Sequence, residues 1–70
     1  MNQPVKFRDL TVQVGDTLEV TIKCRTGNVC HTGVVIFEQA AFMLQYKYLE
    51  KEYKNPLCSY SYNCEFKKIN

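Results

Sequence analysis

The chain has no tryptophan, one histidine, two prolines and three glycines, and no run near the about 18 apolar residues that a membrane-crossing helix requires. Gly15, Gly27 and Gly33 stand too far apart for a phosphate-cradling P-loop or a dinucleotide fingerprint. His31 has no second histidine, and no Asn or Asp in a recognisable catalytic setting, to build a Cys–His nucleophile with. Glu50 and Glu52 sit among Lys51 and Lys54, the composition of a solvated face rather than of an acid/base pair. Charge of one sign is also missing: the net charge is +2, with mixed signs along the chain. A phosphate-backbone binder concentrates its basic residues on one face. Lys6, Arg8, Lys23, Arg25, Lys67 and Lys68 read instead as strand faces and turns, so nucleic acid is a disfavoured partner.

Seventy residues make one small domain with one thin core. Such a core supplies only about 3–5 kcal/mol, which leaves little room for a deep, dry active site. The reading is therefore of a protein that is not an enzyme and takes no cofactor. Met1–Lys6 lacks the apolar h-region and cleavage site of a secretory signal, so a cytoplasmic location is expected. There the four cysteines stay mostly thiols.

What is present is β-forming. Gly33-Val34-Val35-Ile36-Phe37-Glu38 is the most apolar run, and its β-branched residues fit a strand buried on both faces. Thr17 to Cys24 alternates cleanly: Leu18, Val20, Ile22 and Cys24 fall on one face, and Thr17, Glu19, Thr21 and Lys23 on the other. Leu10, Val12 and Val14 suggest a shorter strand, Gly15-Asp16 a turn, and Arg25-Thr26-Gly27-Asn28 a hairpin loop. Gly33 marks a bulge or a tight bend. Residues 1–9 read as an irregular or edge segment.

Gln39 to Lys54 supports two readings. As a strand, Phe42, Leu44, Tyr46 and Tyr48 share a face opposed by Met43, Gln45 and Lys47. As a helix, Phe42, Tyr46, Leu49 and Tyr53 share one. Asn55-Pro56-Leu57 breaks whatever precedes it, a 3₁₀ turn suits the region 55–63, and Cys64–Ile69 forms a last strand. The expected fold is all-β, a small SH3-like barrel of about five short antiparallel strands over 10–69. The alternative is α+β with a helix at about 40–53.

The order of these signals resembles the YopX-type family, small proteins of phages and prophages with an SH3-like barrel core. The residues that carry the likeness are Gly15-Asp16 before a strand, Gly33-Val34-Val35-Ile36-Phe37-Glu38, Ala41-Phe42, Pro56-Leu57 and the closing strand. It spans roughly residues 10 to 69. The family's usual turn holds Asp or Asn with Gly; here Gln39-Ala40-Ala41 stands in its place, with no residue suited to positive φ. The resemblance implies a strand over the ambiguous segment and a phage-protein setting, and carries no activity with it.

Two residue sets remain. Cys24, Cys30, Cys58 and Cys64 form two Cys-x5-Cys pairs, too wide for the usual zinc knuckle. Cys24 and Cys30 flank a hairpin loop and sit opposite each other on that reading, which suits a disulfide or half a metal site; small buried hydrophobes are the simpler account. Tyr46, Tyr48, Tyr53, Tyr60 and Tyr62, with Lys47 among them, suit either barrel closure or a contact surface. Tyr60 and Tyr62 alternate, so one packs inward and the other outward. The leading expectation is a non-catalytic interaction module that binds an unidentified protein partner or itself through these tyrosines. A phage anti-defence protein sequestering a small nucleotide is the alternative, with Lys47, Lys54 and Lys67 on the phosphates. A weak nucleic-acid-binding barrel is the second.

Overall fold

The computed structural model describes residues 3–69; Met1, Asn2 and Asn70 lie outside it. The expected all-β fold is what forms. Seven strands run as β1 (Val5–Phe7), β2 (Leu10–Val12), β3 (Thr17–Cys24), β4 (Gly27–Glu38), β5 (Ala41–Tyr48), β6 (Lys51–Pro56) and β7 (Cys64–Lys68), with a 3₁₀ turn at Leu57–Ser59. The helix alternative over 40–53 fails, because two strands and a tight turn occupy that segment. Its alternating face (Phe42, Leu44, Tyr46, Tyr48) meets a sheet, which outweighs the local helix propensity of Ala, Met and Glu.

β3 to β6 form an antiparallel meander, and the 3₁₀ turn then carries the chain across so that β7 lies beside β3. The sheet order is β6-β5-β4-β3-β7, with β6 and β7 as its edges. β1 and β2 form a separate hairpin, Val5 facing Val12 and Phe7 facing Leu10. One part of the sequence reading is thereby corrected: β2 pairs with β1 rather than joining the five-stranded sheet. The segment expected to be irregular or an edge holds β1, an edge strand of the two-stranded sheet.

Cross-strand partners share a face. Val20 faces His31 and Phe66, Leu18 faces Gly33, Val35 faces Leu44, and Tyr46 faces Tyr53. These residues define the inner face, over which the hairpin and the 3₁₀ turn close. The core is Val12, Leu18, Val20, Val35, Leu44, Leu57 and Cys64. The outer face has no such cover, and this corrects the doubly buried reading of the central run. Val35 is fully buried, but Val34 on the opposite face is 41% exposed and Phe37, beyond the core, 43%.

β4 pairs with β3 up to Val34 and with β5 from Val34 onward, so it changes partner at Gly33–Val34. No extra residue interrupts the ladder there. A Cβ on Gly33 would lie 2.7 Å from Leu44 Cγ and 2.8 Å from the Gln45 carbonyl oxygen, so the glycine admits the close approach of β5. The Gly15-Asp16 turn is tied in by backbone bonds to Val35 (Gly15 N–H to the Val35 carbonyl, 2.9 Å; Val35 N–H to the Asp16 carbonyl, 2.8 Å). Asp16, buried, accepts from the Gln13 N–H at 2.9 Å and pairs with Lys68 at 3.2 Å. No helix among the described residues is long and apolar enough to cross a membrane.

Candidate functional site: an aromatic row ending on β6

Beyond Leu44 the inner face of β5 stops carrying aliphatic core residues and becomes aromatic. The β4–β5 ladder ends at Val34–Gln45, and past it the His31 ring stacks on Tyr46 at 4.3 Å. Tyr46 in turn stacks on its cross-strand partner Tyr53 at 5.4 Å, with the rings 21° apart. The result is a row of three rings, running from β4 through β5 and ending on the sheet edge. Asn55, two residues along β6 from Tyr53, holds the row's polar side. Its amide nitrogen donates to the Tyr46 hydroxyl at 2.8 Å and to the Tyr60 hydroxyl at 3.5 Å.

Tyr60 is half-buried and edge-on to Phe66 at 5.1 Å. Burial pushes its hydroxyl above the usual tyrosine value, opposed by the hydrogen bond from Asn55. Burial lowers the His31 pKa, which favours the neutral ring. Its Nδ1 is buried with no hydrogen-bond partner.

Of the tyrosines singled out from the sequence, Tyr46 and Tyr60 come together through Asn55, and Tyr53 joins them by stacking on Tyr46. Tyr48 continues the same face one step further and is 53% exposed. Tyr62 stands fully in solvent before β7, so the expected inward–outward alternation of Tyr60 and Tyr62 holds. Lys47 does not join them. It lies on the outer face, across from Glu52, and Lys54 lies on that face too, paired with Glu38 at 3.1 Å. The expected partnership of tyrosine rings with these lysines is corrected accordingly: an alternating strand sends consecutive side chains to opposite faces. His31 and Asn55 are the additions. The signal that marks both is parity, since His31 across from Val20 and Asn55 across from Leu44 each fall on the inner face.

The cysteines are all free. Cys24 faces Gly27 and Cys30 faces Thr21, so the two lie on opposite faces of the hairpin and the opposed pairing expected for them is corrected. Cys30 sits 3.3 Å from the Thr21 hydroxyl, Cys64 is buried in the core, and Cys58 is exposed. No group of three or more His, Cys, Asp or Glu side chains that could hold a metal ion occurs among the described residues. Clefts of about 290 Å³ lie away from the aromatic row, one beside Arg8 and Phe66, the other between β1 and Phe42. Each is at the lower limit for a small-molecule site.

Compared with known proteins, the chain matches no family model, no curated protein and no solved structure. The YopX-type resemblance thus stands on its quoted motifs alone.

Proposed function

We propose that this is a small non-catalytic binding module whose contact surface is the tyrosine-rich end of β5 and β6. The observation that carries the reading is the stacked row His31–Tyr46–Tyr53, which leaves Tyr53 (39%) and Tyr48 (53%) exposed at an open sheet edge. Rings already held by stacking lose little freedom on binding, which is why tyrosine anchors are effective in interfaces. The occupant is another polypeptide, either a protein partner or a second copy. A phage or prophage setting rests on the motif resemblance.

The nucleotide alternative has the rings it needs, but of the lysines expected on the phosphates Lys47 and Lys54 lie on the opposite face, and it is Lys51, across from Tyr48, that shares the face of the rings. Nucleic-acid binding is disfavoured by the use of four of the nine basic residues within the fold. Lys23 pairs with Glu65 at 2.8 Å, Lys54 with Glu38 and Lys68 with Asp16, while Arg8 is engaged by backbone carbonyls.

Crosslinking mass spectrometry of the tagged protein against its Tyr48→Ser/Tyr53→Ser variant tests the reading. The wild type yields a second polypeptide joined at Lys51 or Lys54, and the variant loses at least about tenfold of it while keeping its circular dichroism spectrum. Equal recovery from the folded variant, or no crosslinked species from the wild type, overturns the proposal.

A further inference from the structure

We propose that the outer edge of β6 pairs antiparallel with β6 of a second copy, in a register centred on Tyr53. This deepens, and rests on, the reading of the tyrosine-rich end as a contact surface.

β6 is the last strand of the sheet, and no described strand pairs with its outer side. Leu49 and Glu50 form a two-residue turn at φ 52° and 64°, so the flanking pair Tyr48–Lys51 exchanges both backbone hydrogen bonds. Alternation then assigns the Tyr46–Tyr53 and Leu44–Asn55 pairs to the same inward set. The N–H and C=O groups of Glu52 and Lys54 therefore point outward. A second strand can bond only through these positions, which leaves three symmetric registers.

Centring on Glu52 sets Glu52 against Glu52. Centring on Lys54 sets Lys54 against Lys54 and brings Pro56, which has no N–H, against the outward groups of Glu52. Centring on Tyr53 sets Glu52 opposite Lys54 twice, once on each side of the two-fold axis, so that each Lys54 ammonium, bonded at 3.1 Å to Glu38 of its own chain, is shared with Glu52 of the second copy. Opposite charges directly across a strand pair stabilise it, and like charges do the reverse. The same register brings the two Tyr53 rings together on the inner face. The three-ring row of each copy then continues into the other, His31–Tyr46–Tyr53 meeting Tyr53–Tyr46–His31.

The lysines on this strand would ordinarily protect an edge from pairing. Here the protection is selective, because only one register cancels it. An isologous contact of this kind closes after two copies, so it makes a dimer of ten continuous strands rather than a fibre.

Native mass spectrometry and sedimentation equilibrium between about 1 and 500 µM test the assignment through mass action. The wild type shows a species of twice the 8.2 kDa chain that grows with concentration. Glu52→Lys and Lys54→Glu each weaken that dimer at least about tenfold when alone. Mixed together, the two variants form a heterodimer, since every facing pair is then opposite in sign; the double variant Glu52→Lys/Lys54→Glu dimerises by itself. A wild type that stays monomeric throughout overturns the proposal, as does a dimer indifferent to single charge reversal. A dimer that resists charge reversal but is lost in Tyr48→Ser/Tyr53→Ser refutes the edge register while leaving the tyrosine surface standing.

Discussion

At the β7 edge, Cys64 turns its carbonyl away from β3, and Arg8 from the β1–β2 hairpin donates to it. At the β6 edge, Glu52 and Lys54 turn their backbone groups outward, and no described strand meets them. The difference lies in what covers each edge. Arg8 also donates to the Ser61 carbonyl at 2.7 Å, and its guanidinium lies 4.8 Å from the Phe66 ring. Phe7 packs edge-on against Phe66 at 4.8 Å, and Lys68 donates to the Thr11 carbonyl at 3.3 Å. The extra hairpin thus seals one side of the sheet with rings and charge-assisted bonds. The other side ends in a ring row and an alternation of opposite charges. A fold this small has one spare hairpin with which to finish two edges, and the unfinished edge is the one proposed above as the contact surface.

The comparison can be broken most strongly at Arg8. Arg8→Ala leaves several carbonyls without their donor and removes the ring cover. Because the guanidinium is partly exposed, the expected loss is about 2 kcal/mol rather than the full sum of its bonds. Urea denaturation reads the loss, and amide exchange should rise in β7 but not in β6. An unchanged midpoint would show that the hairpin is not what holds the β7 edge.

A smaller effect of opposite sign is expected at the turn that leads into β6. Glu50 sits at φ 64°, a left-handed conformation that costs an L-residue about 1–2 kcal/mol. Glu50→Gly removes that cost while adding chain entropy to the unfolded state, for a net gain of about 1 kcal/mol. A urea midpoint that does not rise would refute the strain.

The smallest effect is electrostatic. The His31 pKa is lowered in the fold, so on acidification the unfolded chain takes up the proton first. Stability is flat in this term above pH 6.5 and falls as the pH drops through that value towards the lower folded pKa. The loss should loosen the β5–β6 side of the sheet before the β7 side. His31→Phe abolishes this component, so parallel pH–stability profiles for the two proteins would contradict it.

Strand identity was legible because the signal is local. Thr17–Cys24 alternates over eight residues, and the structure buries Leu18 and Val20 as that pattern requires. The 3₁₀ turn after Pro56 was legible for the same reason. The helix alternative over 40–53 survived until the partner strands were known, since Ala, Met, Leu, Glu and Lys suit a helix when nothing lies beside them. The glycine-marked turns, at Gly15 and Gly27, were legible by composition, and the turns that lead into β5 and β6 were not. Gln39 (φ 53°), Ala40 (φ 61°), Leu49 and Glu50 all adopt positive φ without being Gly, Asn or Asp, because the ladders on both sides hold them there. The site was half legible: tyrosine content marked β5 and β6, whereas Lys47 was misplaced and His31 and Asn55 were passed over.

Composition and alternation alone determine an all-β chain with one thin core, a tyrosine-rich end and no phosphate-loop fingerprint. Both are properties of neighbours in sequence, where a period of two needs no knowledge of the partner strand. Which residues meet across strands is a matter of register, and register is set by contacts distant in sequence. Only the folded structure therefore decided that Cys24 and Cys30 lie on opposite faces, that His31 stacks on Tyr46, and that Arg8 closes one edge while Glu52 and Lys54 face outward from the other.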